Sequence, residues 1–255
     1  AQTTFRSADN HPDGYPTVEA VKYFGKLLNE RSDGRFSLEL YHSAQLGDEK
    51  DTIEQVRSGV LEFNRISMGN LAGTIKETNV PAMPYVFRSI EHMHKVMDGP
   101  IGDQIKAAFE PVGLVALAFY DSGARSFYNS KRPIRTPDDM KGLKFRVIPS
   151  DVFVDMTAAL GGNATPMPYG EVYSGIETGV IDGAENNFPS FETAKHYEVA
   201  KYLSLNEHVI LPEVFVMNKT AFEALSAEDQ EMVRQAAKDS VTEQRRLWDL
   251  KTKES

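Results

Sequence analysis

The chain of 255 residues contains no cysteine. That excludes disulfide frameworks, thiol nucleophiles and cysteine-held zinc or iron–sulfur centres, and it leaves the choice between cytoplasm and periplasm open. No apolar run approaches the roughly 18 residues that a membrane-spanning helix needs, so direct membrane insertion is not expected. Positive charge is in short supply: 28 Lys and Arg stand against 37 Asp and Glu, a formal net charge of −9. Nucleic acid and anionic membrane surfaces both want a basic face, so neither is expected as a partner. An acidic protein that binds anions must do so with a few local arginines. Enzyme signatures are missing as well: there is no G-x-S-x-G elbow, no G-x-x-x-x-G-K-[ST], no H-E-x-x-H and no strand-borne G-x-G-x-x-G. Gly161-Gly162 follows a predicted helix and reads as its stop. His92 and His94, two apart on a predicted helix, cannot share a metal from one face. Neither a metal nor another cofactor is expected.

What is present is an ordinary globular composition, 41% hydrophobic and 25% charged. Short apolar runs alternate with amphipathic helical patterns, the mark of an α/β architecture. A strand over Thr4 to Ala8 precedes the loop NHPDGYP, and a helix with Val18, Val21, Phe24, Leu27 and Leu28 at helical spacing closes at Gly34. FSLELY is the next strand, GDEKDTIEQVRSG a helix with an acid-rich first turn, and LEFNRISM a third strand. Ser89 to Glu110 reads as one further helix. The continuous apolar run GLVALAFY reads as a central strand covered on both faces.

A second set of elements begins near Asp121-Ser122-Gly123: SGARSFYN, GLKFRV, a helix over Val152 to Leu160, GGNATPMP, VIDGAENN, YLSLNEHVI and EVFVMNK. This predicts two α/β lobes, residues 1–122 with 210–255 and residues 123–209, with hinges near Tyr120–Gly123 and Asn206–Pro212. From Ser226, which forms a capping-box pattern with Asp229, the apolar stripe Met232, Val233, Ala236, Ala237, Val241, Leu247, Trp248 predicts one long helix of roughly 40 Å. Its small residues favour packing on a globular body over a coiled-coil arm.

The polar residues that interrupt these strands are the candidate site. In GLKFRVIPS, Gly142 to Ser150, Arg146 sits among Leu143, Phe145, Val147 and Ile148. An arginine cannot shed its charge, and burying it unpaired costs several kcal/mol. Arg125 in SGARSFYN, Asn64 and Arg65 in LEFNRISM, and Asn186 and Asn187 in VIDGAENN also fall at or near strand ends, where open α/β sheets bind ligands. A guanidinium fork matches a carboxylate bidentately, so two arginines near one cleft suggest a small carboxylic acid. Spacing leaves Arg146 open between a foreign carboxylate and an internal acid such as Asp151, Asp155 or Glu185, and favours an internal acid for Arg125 and Arg65.

ADNHPDGYPT, GDEKDTIEQVRSG, VPAMPYVFRSIEHM, GARSFYNSKRPIRTPDDMKGLKFRV, GGNATPMPYGEVYSGIETGVIDGAENN and the long C-terminal helix together resemble the solute-binding proteins of TRAP (tripartite ATP-independent periplasmic) transporters, the DctP family. The resemblance covers most of the chain. It implies a two-lobed, Venus-flytrap periplasmic binding protein that closes on its ligand, with the long helix spanning both lobes, and no catalysis. It implies that Arg146 forms the salt bridge to a ligand carboxylate, with Arg125 a second cationic contact, Asn186 a hydrogen-bonding partner and Tyr169 an aromatic wall. From the first lobe Asn10, His11, Glu49, Arg65 and Ser67 would face the same pocket. It further implies a membrane permease partner and a periplasmic chain freed of its signal peptide, with which the start at Ala1-Gln2, without an initiator Met, agrees. Family chains usually continue past the long helix, whereas this sequence ends at Ser255 within the helical pattern. A pocket so rich in hydrogen-bonding side chains suits a hydroxylated acid, because each buried polar group left unpaired costs about 1–3 kcal/mol. The expected ligand is a sugar acid, a hexuronate such as glucuronate or galacturonate. A C4-dicarboxylate or another hydroxy or keto acid ranks second. A lyase or isomerase using Glu49 or His11 as base beside Arg146 is the rival of a different class.

Overall fold

The computed structural model describes residues 1–255. Its first elements are β1 (Thr3–Ala8), α1 (Pro16–Arg31), β2 (Phe36–Tyr41), α2 (Glu49–Ser58), β3 (Phe63–Ser67), α3 (Ile90–Met97), α4 (Pro100–Ala107) and β4 (Leu114–Tyr120). There follow β5 (Ala124–Asn129), β6 (Lys144–Val147), α5 (Asp151–Ala159), β7 (Asn163–Pro166), α6 (Val172–Glu177), β8 (Gly183–Asn186), α7 (Phe188–Thr193) and α8 (His196–Val199). The last are β9 (Tyr202–Ile210), β10 (Glu213–Asn218), α9 (Lys219–Glu223) and α10 (Ala227–Glu254). They form two compact units, the first made of Ala1–Ser67, His94–Asp121 and Pro212–Glu254, the second of Met68–Met93 and Ser122–Leu211 with Ser255.

In the first unit β10 runs between β3 and β4, antiparallel to both, and β1 pairs in parallel with β2. The edge rings of Phe5 and Phe24 meet Phe63, which stacks on Phe215 of β10 at 5.5 Å between centroids. Burying four such rings supplies a large share of this unit's apolar stabilisation, and their offset and edge-on geometry adds to it. α1 and α10 pack on each other, and α10 also covers β4. α10 keeps the period that the sequence predicts over all 28 residues, with Val233, Ala236, Ala237 and Trp248 buried. β4 is buried along its whole length, as its apolar run demands, but lies at a sheet edge, with β10 taking the central place.

The second unit holds a five-stranded sheet in the order β7-β6-β8-β5-β9. β6 runs parallel to β7 and β8, whereas β5 runs antiparallel to β8 and β9. The segment Met68–Met93 groups with this unit, although the sequence places it with residues 1–122. Packing explains why: Gly69 lies so close to Ile148 and Phe153 that a Cβ there would stand 3.0 Å from the Ile148 side chain. The single helix predicted over Ser89 to Glu110 is two helices. Gly99 leaves the helical conformation at φ −106°, and Pro100, which has no N–H to give the preceding turn, starts α4.

Candidate functional site

Arg146 sits on β6 with 2% of its surface exposed. Its one hydrogen bond runs from Nε to the Met167 carbonyl at 2.8 Å, and no carboxylate lies within ion-pair distance. Burial and then the like charge of Arg125 hold its pKa below the usual arginine value. It stays charged nonetheless at any physiological pH, because that value starts so high. Its guanidinium carbon lies 5.9 Å from the ring centroid of Tyr169, where a cation is attracted to the aromatic face.

Arg125, on β5, has what Arg146 lacks. Nε and Nη2 reach the two oxygens of Glu185 at 2.6 and 2.8 Å, and Nη2 also donates to the Glu185 carbonyl at 2.9 Å. Register makes this possible, since Phe127 pairs with Glu185 across the β5–β8 ladder and sets Glu185 diagonal to Arg125. Burial alone would raise the Glu185 pKa, but Arg125 and the bond from His208 Nε2, 2.8 Å away, outweigh it and bring it down to about 2. Charge in this part of the second unit is therefore arranged as one satisfied pair and one guanidinium without a counterion. Asn186 follows Glu185 in β8 and is also buried; its carboxamide oxygen accepts the Asn187 amide at 2.9 Å. Asn187 caps α7 through Ser190 N and donates to Ser122. The Tyr169 hydroxyl faces the Ser190 carbonyl at 3.5 Å, and its ring lies 5.8 Å from His196. Burial and the charge of Arg146 lower the His196 pKa to about 4, so it is neutral at pH 7, with Nδ1 2.7 Å from the Tyr128 hydroxyl.

In the first unit the structure gathers Asn10, His11, Glu49, Arg65 and Ser67. Arg65 is wholly buried and richly partnered: Nε donates to Asp9 at 3.0 Å, Nη1 to Glu49 at 2.8 Å and Nη2 to Asn10 at 2.7 Å, with Glu213 at 3.4 Å. Burial alone would depress its pKa, but Asp9, Glu49 and Glu213 hold it well above the ordinary value. Glu49 is brought here by Asp48, whose side chain caps α2 by accepting from Asp51 N, and it also accepts from the Ser67 amide. The Ser67 hydroxyl is buried without a hydrogen-bond partner. His11 stacks on Tyr15 with centroids 3.7 Å apart. The preference for an internal acid at Arg65 and Arg125 is what the geometry gives. Asp9, Glu213, His208 and His196 were not singled out from sequence. Asp9 and Glu213 lie far apart in the chain and meet Arg65 only through β1 and the β3–β10 register, and the two histidines carry no local signal at all.

A two-unit α/β fold with a buried, uncountered arginine beside an aromatic ring defines a solute-binding protein for an anion. Comparison with known proteins agrees. Residues 7–255 match the family described as bacterial extracellular solute-binding protein, family 7, or DctP. A solute-binding protein of Chromohalobacter salexigens is 47% identical over 246 residues, spanning 96% of this chain and 73% of the relative. A TRAP periplasmic solute-binding protein from Bradyrhizobium sp. BTAi1, solved in complex with α/β-D-galacturonate, is 52% identical at a TM-score of 0.97, covering 98% of this chain and 84% of the other. A further one from Chromohalobacter salexigens, solved with bound D-glucuronate, is 46% identical at a TM-score of 0.95, covering 98% and 83%. The chain belongs to the DctP family of TRAP solute-binding proteins. That is a transport family of periplasmic binding proteins and not a family of enzymes, and no helix here is long and apolar enough to cross a membrane.

Proposed function

We propose that this protein captures a hexuronate, D-galacturonate or D-glucuronate, and delivers it to the permease of a TRAP transporter in the periplasm after removal of a signal peptide. The observation that carries the reading is Arg146: a buried guanidinium with a single hydrogen bond to a carbonyl and no carboxylate of the chain. A ligand carboxylate supplies the missing charge and accepts from the two Nη groups in a fork, the geometry for which arginine is suited and lysine is not. In this reading Arg125, held rigid by Glu185, adds positive potential without needing the ligand for its own neutrality. Asn186 and Tyr169 complete the face in the second unit; Asn10, His11, Glu49, Arg65 and Ser67 form the candidate cluster of the first unit. The galacturonate and glucuronate complexes of relatives 46–52% identical support the choice of acid.

A thermal-shift panel of uronates, aldonates and C4-dicarboxylates tests the assignment, with NMR of the recovered ligand. The expected result is stabilisation that grows with concentration, strongest for a hexuronate, and a ligand recovered unchanged. A stronger response to a C4-dicarboxylate would replace the substrate class. Chemical turnover of the ligand would replace transport by catalysis.

A further inference from the structure

His196 opens α8 with its ring inside the second unit, 2% exposed. The residue before it, Lys195, takes the left-handed conformation, φ 57° and ψ 27°, which side chains other than glycine adopt only at a cost. Strain held at one residue points to a contact that the fold keeps nearby. That contact is with Tyr128 on β5, whose hydroxyl lies 2.7 Å from His196 Nδ1. Tyr128 is fully buried, and this is the hydrogen bond its hydroxyl makes. A buried Tyr O–H needs an acceptor, so Nδ1 accepts and the ring hydrogen sits on Nε2. Protonation would put a hydrogen on both nitrogens and take that acceptor away. A neutral ring is therefore built into the contact.

The same ring meets the site. Its centroid lies 5.8 Å from that of Tyr169, whose own centroid is 5.9 Å from the guanidinium carbon of Arg146. Tyr169 is poorly held by its own segment. It starts a single 3-10 turn, Tyr169–Glu171, between Pro168 and Gly170, and is only half-buried. Its hydroxyl stands 3.5 Å from the Ser190 carbonyl, at the far limit of a hydrogen bond. Packing against His196 supplies what the turn does not. Charge matters here too, because the charge of Arg146 is felt at His196. An acid at position 196 would answer Arg146 from inside the chain, and a second cation would repel it. An uncharged ring does neither.

We infer that His196 is a positioning residue for anion capture: Tyr128 fixes its ring, and the ring holds Tyr169 against Arg146, where the ligand carboxylate binds. His196 itself has no need to touch the ligand. The inference rests on the carboxylate reading of Arg146. It divides the imidazole into two tasks: the acceptor nitrogen serves stability, and the ring serves binding.

The test is calorimetric titration with D-galacturonate at neutral pH, alongside the urea midpoint of each ligand-free protein. His196→Asn keeps an acceptor for Tyr128 and removes the ring, and is expected to bind at least about tenfold more weakly. His196→Phe keeps the ring and orphans the Tyr128 hydroxyl, so its urea midpoint should fall while its affinity stays within about threefold of wild type. If His196→Phe fails to fold, the same affinity is expected of the double variant with Tyr128→Phe, which leaves no buried group unpaired. In a Tyr169→Ala background, His196→Asn should weaken binding no further. An Asn variant that binds like wild type overturns the proposal and leaves the carboxylate reading intact. So does a Phe variant as weak as Asn, since affinity then follows stability, or an equal loss in the Tyr169→Ala background, since the effect then bypasses Tyr169. If the wild type does not bind the uronate, the hexuronate reading fails and takes this proposal with it.

Discussion

Two buried arginines meet opposite fates in this chain. Arg65 is enclosed by Asp9, Glu49 and Glu213, whereas Arg146 has only the Met167 carbonyl. Removing the cation from a buried ion-pair cluster strands its carboxylates, and such losses run to about 3–5 kcal/mol. Removing a cation that has no counterion strands no charge, only the Met167 carbonyl. Arg65→Met should therefore lower unfolding free energy by about that amount in urea denaturation. Arg146→Met should leave the ligand-free protein as stable as wild type or slightly more so, while abolishing uronate binding. A comparable loss of stability in both variants would show that Arg146 is held by the fold in the same way as Arg65, and its assignment to a ligand would fall.

At the scale of elements, the site is built where β8 and α8 bring titratable groups to β5 and β6. Glu185 on β8 is ionised against Arg125 and His208, and His196 at the start of α8 is kept neutral by burial and by Arg146. Each is linked to stability with a definite sign. His196 titrates near 6.5 when unfolded and near 4 when folded, so the unfolded chain takes up the proton first and stability is lost as pH falls from about 6.5 to 4. His208 is shifted in the same direction by burial. Glu185 contributes stability above its unfolded value of 4.5 and loses it only as pH falls towards 2. His196 alone should make the protein on the order of 2 kcal/mol less stable at pH 5 than at pH 7.5, measured by denaturant unfolding. His196→Asn should flatten that slope, and a slope unchanged in the variant would exclude His196 as its source.

The elements themselves were largely legible in the sequence. α1 and α10 follow from an apolar pattern that repeats every 3.6 residues, and β1, β2 and the continuously buried β4 from their composition. Boundaries failed where a long-range contact decides them. Gly69 against Ile148 and Phe153 draws Met68–Met93 into the second unit, and nothing within that segment announces it. The site was legible in the same uneven way. Arg146 stood out because a charge in an apolar strand is locally anomalous. Which acids neutralise Arg125 and Arg65 depended on strand register, which pairs β5 with β8 and β3 with β10 across gaps that period alone cannot bridge.

For the whole molecule, net charge of −9 and anion capture are reconciled by locality. The overall field repels an anionic solute weakly at physiological salt, where the Debye length is about 8 Å, and a desolvated arginine within the protein outweighs it at contact. The account therefore stands on the carboxylate of the ligand more than on its hydroxyls. The most direct measurement is calorimetric titration of the wild-type protein with D-galacturonate and with its methyl ester, which keeps every hydroxyl and removes the charge. Free acid bound at least about a hundredfold more tightly than the ester, on the order of 2.7 kcal/mol, is the predicted result. Equal affinity for acid and ester would contradict it, because Arg146 would then be buried for some purpose other than meeting a carboxylate.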